Sequence, residues 1–323
     1  MKRYSVVCAL LALMLLCSAC AQSRPVQVSY VAEAVMGPVL LEAETAPLDA
    51  QQPAAAPQLL LAQPSGKCTK AGTEAVIDYS NTADGYVMVQ YTAQTDSGLK
   101  VRVQGPATTY TYNLTPAKWT VFPLSDGSGS YQITVYRGVG GTKYVNVLSL
   151  TTQVQLADEF APFLRPNQYV DYNAATQAVA LAAELTRDDE TPFDKVATVY
   201  DYVVGNFTYD YEKAKTVRSG YLPVLDTVLD SKKGICFDYA ALMCGMLRSQ
   251  GIPCKLVVGY AGTTYHAWIS VWSQQSGWVD GVIWFDGSAW RRMDPTFAST
   301  GKGSKSIMDF INKDENYTVK YLY

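Results

Sequence analysis

The sequence contains a single histidine, His266, and few charged residues, at 17% of 323 with a formal net charge of -3. This balance leaves no basic patch for a polyanion, so the composition argues against nucleic-acid binding as a function class. Long apolar runs are also scarce. The most apolar stretch, Val6–Leu16, is shorter than the roughly 20 residues that a comfortable membrane-spanning helix needs.

The N-terminus has the layout of a secretory signal peptide, which we assign to residues 1–19. Lys2 and Arg3 precede the apolar run, and the small residues Ser18 and Ala19 follow it. The segment "LLCSAC" resembles the bacterial lipobox, which implies that Cys20 is lipidated after cleavage. It departs from the usual pattern at Cys17, where leucine is common. The alternatives are simple secretion and an uncleaved anchor.

Export and lipidation together predict a lipoprotein on the outer face of the bacterial cell membrane, held there by an N-terminal lipid anchor. Maturation would leave the cysteines Cys68, Cys236, Cys244 and Cys254. Their spacing contains no CxxC metal or redox motif, and the chain is too large to need disulfide stapling. We therefore expect mostly free thiols, with Cys244 and Cys254 as small core residues, and no metal or cofactor.

Three further segments follow the signal peptide. Residues 20–66 are interrupted by prolines and predict a flexible, lipid-anchored linker. Residues 67–156 alternate short segments rich in Val, Tyr and Thr with Gly/Asp turns, which predicts an all-β, immunoglobulin-like sandwich. Residues 157–323 begin with helical patterns and end with strands, so this part is expected to be α+β.

The helical patterns carry local start and stop signals. In "TPFDKVATVYDYVV", Thr191 is the expected N-cap and Pro192 the first helical residue, and one apolar face follows at helical spacing. A later helix begins near Gly234 and stops at Gly251, with Pro253 beyond it.

Cys236 and His266 have the residue types and settings of a nucleophile and its base. A cysteine in the first turn of a helix lies near free backbone N–H groups, which favour the thiolate. His266 shares one strand face with Trp268, whereas Ala267 and Ile269 point to the other face, the better candidate for the core. Asp294, at a strand end before Pro295, is a candidate to orient the imidazole.

Taken together, "GICFDYAALMCGMLRSQGIPCKLVVGY", "YHAW" and "WRRMDPTF" resemble the transglutaminase-like family, over about residues 169–297. The resemblance implies a papain-like core on which Cys236 is the nucleophile, His266 the base and acid, and Asp294 the orienting residue. It also implies a second oxyanion donor besides the N–H of Cys236. Tyr209, Tyr211 and Asn206 are the candidates, and the sequence does not choose among them.

The function expected from these residues is an exported cysteine acyl-transfer enzyme that cleaves or transfers carboxamide or peptide acyl groups. Peptidase, amidase and transglutaminase activity all remain open. The expected partners are protein or peptide substrates, including cell-wall peptides. The alternative is a transglutaminase-like fold kept as a non-catalytic binding or assembly module of the cell envelope.

The lipid anchor can be tested by phase partitioning. Replacing Cys20 with alanine should move the protein from the detergent phase of Triton X-114 into the aqueous phase, because the acyl chains supply the membrane affinity. An unchanged partition would exclude lipidation at Cys20.

Overall fold

The computed structural model describes residues 58–274, 277–280, 282–285, 290–293 and 316–323. Residues 54–323 form one compact unit. Within the described part of the chain, no helix is long and apolar enough to cross a membrane. Cys20 and Asp294 lie outside the described residues.

The first half of this unit consists of strands. They are β1 (Thr69–Ala71), β2 (Ala75–Asp78), β3 (Tyr86–Tyr91), β4 (Leu99–Gln104), β5 (Thr109–Leu114), β6 (Thr120–Pro123), β7 (Gly129–Gly140) and β8 (Lys143–Val154). They form two four-stranded antiparallel sheets, ordered β1-β2-β3-β6 and β5-β4-β7-β8. The immunoglobulin-like relationship of these sheets stays a prediction.

Sequence alternation explains how these sheets form a core. In β4, Leu99, Val101 and Val103 are buried while the residues between them are partly exposed, and β5 buries every second residue in the same way. Side chains from both sheets belong to one hydrophobic cluster, which continues into the helical half of the chain. The two halves therefore share a core.

The second half contains five α-helices among the described residues. They are α1 (Gln177–Leu185), α2 (Pro192–Asn206), α3 (Tyr211–Thr216), α4 (Leu225–Ser231) and α5 (Cys236–Ser249). The predicted start of α2 is confirmed, because the side chains of Thr191 and Asp194 form a capping box around Pro192. Such a cap contributes on the order of 1 kcal/mol to helix stability. The helices α3 and α4 are not predicted by the sequence patterns.

Helix α5 is the centre of this half. Every residue from Asp238 to Ser249 is buried, and the helix packs against the strands β11 (Cys254–Ala261) and β12 (Thr264–Ser273) and against α1, α2 and α4. Its C-terminus follows the expected signal, since Gly251 adopts a left-handed φ of 75° just after the helix.

The remaining strands complete the α+β arrangement. Besides β11 and β12 they are β9 (Thr208–Tyr209), β10 (Lys233–Gly234), β13 (Gly277–Asp280), β14 (Val282–Phe285), β15 (Trp290–Met293) and β16 (Tyr317–Leu322). One antiparallel sheet has the order β13-β12-β11-β16, β14 pairs with β15, and β9 pairs with β10 in parallel. The α+β class predicted for this part is confirmed.

Two sets of buried contacts tie the C-terminal strand into the core. Arg248, near the end of α5, donates hydrogen bonds to the carbonyl oxygens of Cys254, Arg165 and Tyr323 at 2.7 to 2.8 Å. The ring of Tyr323 packs against the rings of Tyr110 and Tyr112 on β5 at 5.7 and 5.8 Å. The last residues of the sequence thus bridge the two halves.

Candidate functional site

Cys236 is the first residue of α5, and its side chain is partly exposed. The first backbone N–H groups of a helix have no partner within the helix, and they carry the positive end of its dipole. Asp238 accepts a hydrogen bond from the N–H of Ile235, the N-cap, at 2.8 Å. Helix geometry leaves the N–H groups of Cys236 and Phe237 available to a ligand.

A short parallel ribbon places Tyr209 next to this helix start. Gly234, at the end of β10, pairs with Tyr209 of β9, and the N–H of Asp210 donates to the carbonyl of Gly234 at 2.8 Å. Gly234 has to be small, because a Cβ there would lie 2.7 Å from the Cβ of Asp238. The ribbon therefore fixes Tyr209 beside the start of α5.

His266 lies on β12 opposite Gly259 of β11 and is 5% exposed. Its ring stacks on that of Trp268, with centroids 6.2 Å apart and an interplanar angle of 23°. As predicted, Ala267 and Ile269 point into the core.

The face of β12 that carries His266, which the sequence pattern does not favour as a core face, is also buried. Trp268 and Ser270 are buried together with His266. Trp268 is covered by Tyr317 of β16, whose ring centroid lies 5.3 Å away. The edge strand β16 covers this face. The sequence of β12 alone does not predict this contact.

Cys236, His266 and Tyr209 line one cavity of about 580 Å³. The structure thus brings together two residues of the expected triad and one of the oxyanion candidates. Tyr211 is 61% exposed and is not among the residues that line the cavity. Asn206, also exposed, donates its side-chain amide to the carbonyl of Tyr202. The third member of the expected triad, Asp294, lies outside the described residues.

The cavity is rich in phenols. Its described lining includes the tyrosines Tyr169, Tyr209, Tyr221, Tyr265, Tyr321 and Tyr323. Burial, followed by the proximity of Cys236, raises the pKa of Tyr209 to about 12. At neutral pH the phenol is protonated, as it is in an unperturbed tyrosine, and it can donate a hydrogen bond into the cavity.

The sequence patterns do not indicate that several of these residues line the cavity. Thr111 comes from β5 of the first half. Among the described residues that line the cavity, Arg218 is the one arginine, lysine, aspartate or glutamate. Tyr265, adjacent to His266, is predicted only as part of the strand. Thr111 reaches the cavity of Cys236 through the packing of the two halves, which local patterns do not encode.

The sequence comparisons find similarity over the part of the chain that supplies most of the residues lining this cavity. Residues 179–281 match the family model of the transglutaminase-like superfamily. This part of the chain resembles a transglutaminase-like core. The match includes α5, β11 and β12, and hence both Cys236 and His266.

Two curated relatives each match a segment of 118 residues. The uncharacterized protein YebA of Bacillus subtilis is 32% identical over 118 residues, which cover 31% of this chain and 16% of YebA. A protein-glutamine gamma-glutamyltransferase of Pseudomonas aeruginosa is 30% identical over 118 residues, covering 32% of this chain and 17% of that protein. The chain therefore spans less than a fifth of the length of these relatives.

Solved structures show more distant likenesses. The periplasmic domain of TgpA from Pseudomonas aeruginosa has a TM-score of 0.34 at 16% identity, covering 75% of this chain and 98% of that one. Red sea bream transglutaminase has a TM-score of 0.30 at 14% identity, covering 70% of this chain and 53% of that one.

The transglutaminase-like core also contains two thiols that are not solvent-accessible. Cys244 and Cys254 are fully buried, and their sulfur atoms lie 3.2 Å apart. Burial, followed by the hydrogen bond with Cys244, raises the pKa of Cys254 well above its usual value. The expectation that both are core residues is confirmed, and their direct contact is an addition to it.

The strand of His266 depends on a glycine opposite it, which gives a stability prediction. A Cβ on Gly259 would lie 2.0 Å from the backbone oxygen of Thr318 and 2.9 Å from the ring of Trp268. Gly259→Ala should lower the free energy of unfolding by about 3 kcal/mol, because it overpacks the contact between β11 and β16.

Gly205→Ala in α2 is the matched control, because a Cβ at this position would have nothing within 4 Å and the φ of Gly205 is not positive. It should raise stability by roughly 0.5 kcal/mol, since alanine favours the helix. Urea unfolding measures both changes. Equal stability of the two variants would contradict the close packing of Gly259.

Proposed function

We propose that the protein is a cysteine acyl-transfer enzyme in which Cys236 is the nucleophile and His266 the general base and acid. The observation that supports this most directly is that both side chains line one cavity, with Cys236 at a helix N-terminus. A nucleophile next to a base, with free backbone N–H groups beside it, is the arrangement that covalent acyl transfer requires.

The first step forms a thioester. The sulfur of Cys236 attacks the carbonyl carbon of an amide, and the C–N bond breaks. The leaving amine takes the proton that His266 carries as imidazolium. In the second step, water or an amine loses a proton to His266 and attacks the thioester, the C–S bond breaks, and the thiolate is regenerated.

Hydrogen-bond donors have to stabilise the negative charge that develops on the carbonyl oxygen. The N–H of Cys236 is one, at the positive end of α5. We assign Tyr209 as the second, because it lines the same cavity and its high pKa keeps the phenol protonated. Tyr211, which lies outside the cavity lining and packs edge-on against Tyr209 with centroids 5.0 Å apart, then supports that ring.

Asp294 is proposed as the residue that orients His266. It directly follows Met293, the last residue of β15. A carboxylate on the far side of an imidazole selects the tautomer and stabilises the imidazolium that the first step consumes. The motif resemblance supports this role.

The proposed substrate is a protein or peptide. A cavity of about 580 Å³ lined by six tyrosines suits an acyl donor flanked by apolar or aromatic groups, because phenol rings offer large contact areas with little conformational entropy cost. Arg218, which also lines the cavity, adds a positive charge to it. A basic residue next to the reacting amide is thus disfavoured, and an acidic one is favoured.

Export to the cell surface, with cell-wall peptides among the substrates, remains part of this proposal. It is supported by the signal-peptide pattern and by the lipobox-like segment at Cys20. Activity assays with and without an added amine decide whether water or an amine resolves the thioester. One curated relative is named as a gamma-glutamyltransferase, so amine acceptors belong in the assay alongside water.

The activated thiol is tested by alkylation at pH 6. Cys236 should react with iodoacetamide at least about tenfold faster than Cys68, because only a thiolate alkylates quickly and an ordinary thiol is about 0.3% ionised at this pH. Cys68 is an exposed thiol in the same chain and serves as the internal control.

Cys244 and Cys254 should remain unlabelled in the folded protein, because both are buried. Peptide mass spectrometry after timed quenching gives all the rates. If Cys236 reacts no faster than Cys68, the catalytic assignment is wrong and the non-catalytic binding module becomes the better account. Release of ammonia or amine from peptide substrates, with and without an added primary amine, then separates hydrolysis from transfer.

Two conservative variants separate the proposed roles of Asp294 and Tyr209. Asp294→Asn should slow alkylation of Cys236 near neutral pH and lower turnover by roughly 10² to 10⁴, because the imidazolium loses its partner. Tyr209→Phe should leave alkylation by iodoacetamide unchanged and lower turnover by about 10², because the phenol acts on an oxyanion that alkylation does not form.

Circular dichroism establishes that both variants fold. Wild-type alkylation kinetics in folded Asp294→Asn would remove Asp294 from the site. Unchanged turnover in Tyr209→Phe would remove Tyr209 from the oxyanion hole.

A further inference from the structure

A buried carboxylate lies in the first turn of the nucleophile helix. Asp238 is 0% exposed, and three groups donate hydrogen bonds to it. The N–H of Ile235 donates to Oδ2 at 2.8 Å, and the hydroxyl of Tyr221 donates to Oδ1 at 2.6 Å. The ammonium of Lys213 forms an ion pair with Oδ2, also at 2.6 Å. Only the first of these contacts belongs to helix capping, so the other two need a separate explanation.

Lys213 and Tyr221 also contact each other. The ammonium of Lys213 donates to the hydroxyl of Tyr221 at 2.6 Å and lies 4.2 Å from the centre of its ring. Lys213 is 27% exposed. Its charge is therefore largely withdrawn from water, which is unfavourable unless the partner carboxylate compensates it.

Both residues belong to the segment that forms one side of the cavity. We call residues 211–221 the wall segment. It consists of α3 and the turn that follows, and six of its residues line the cavity: Ala214, Val217, Arg218, Ser219, Gly220 and Tyr221.

The wall segment has little apolar packing to hold it. No residue of α3 is buried, and residues 217–220 are exposed. The N-cap Asp210 accepts a hydrogen bond from the N–H of Lys213, which stabilises α3 but does not attach it to α5. Without an apolar anchor, the position of a surface segment depends on its specific polar contacts.

We propose that Asp238 is a positioning residue that fixes the wall segment to the start of the nucleophile helix through Lys213 and Tyr221. The carboxylate that caps α5 beside Cys236 thereby also sets the width of the cavity in front of Cys236. This inference rests on the proposed function for its catalytic meaning, since the cavity is taken as the substrate site. The attachment itself is independent of catalysis.

The test uses two lysines of the same helix. Lys213→Met removes the ammonium that contacts Asp238. Lys215→Met, the matched control, removes an ammonium paired with the exposed Glu212. Because an unpaired buried carboxylate destabilises the protein, the double variant Asp238→Asn/Lys213→Met is included. It removes both charges at nearly constant volume, so any effect that persists in it comes from lost positioning.

The first measurement is hydrogen–deuterium exchange of the full chain. Amides of residues 211–221 should exchange about tenfold faster in Lys213→Met and in the double variant, and at the wild-type rate in Lys215→Met. Wild-type exchange of the wall segment in the folded double variant would overturn the proposal, whatever the activity of the protein.

The second measurement compares two reagents for Cys236. Iodoacetamide is small and makes no use of the wall segment, whereas a benzyloxycarbonyl-dipeptidyl diazomethyl ketone has to fill the cavity. The ratio of the peptidyl rate to the iodoacetamide rate should fall about tenfold in Lys213→Met and in the double variant. The ratio corrects for any change in the thiolate fraction of Cys236, because both reagents react with the thiolate. A purely structural ion pair would leave this ratio at its wild-type value, which would overturn the positioning role.

The two measurements distinguish the failure of this inference from that of the proposed function. A wild-type protein whose Cys236 reacts with neither reagent contradicts the proposed function, and the exchange experiment still decides the attachment. A wild-type protein that prefers the peptidyl reagent, together with a double variant that keeps this preference, contradicts the positioning role alone.

Discussion

The burial of α5 on all sides is the constraint from which the rest of the core follows. A helix that is enclosed from Asp238 to Ser249 can carry polar side chains only if each is paired, since an unpaired buried polar group costs about 1 to 3 kcal/mol and a charged one more. Asp238 and Arg248 meet this condition with several hydrogen bonds each. Only Cys236 and Phe237, the first two residues of the helix, are partly exposed.

Much of this core could be predicted because its signals are local. Thr191, Pro192 and Asp194 specify the start of α2 through contacts within four residues of one another, and Gly251 specifies the end of α5 through its own backbone conformation. Alternation along β12 correctly places Ala267 and Ile269 in the core. The positions of Cys236 and His266 could be predicted for the same reason, because a helix start and a strand that carries the single histidine are properties of short segments.

The rest could not be predicted because it depends on contacts between distant segments. Helix α3 has no apolar periodicity and no buried residue, so its position depends on Lys213 reaching Asp238 on another helix. Thr111 belongs to a strand whose pattern indicates only a sheet, yet it lines the cavity because the two halves of the chain share a core. The enclosure of the His266 face has the same origin, since β16 adds to the edge of β11 from far along the chain.

The attachment of β16 has a consequence for the order in which the molecule can fold. The strand Tyr317–Leu322 pairs with Cys254–Ala261, and Arg248 donates to the carbonyl of Tyr323. Contacts between segments so far apart in sequence carry a large loop-closure cost before they contribute stability, and they form late. A nascent chain that already contains Cys236 and His266 therefore lacks the strand that closes the histidine face and the tyrosine ring that joins the two halves. Until residues 317–323 are in place, Trp268 beside His266 lacks the ring of Tyr317 that covers it, and the ring of Tyr323 does not yet join the two halves.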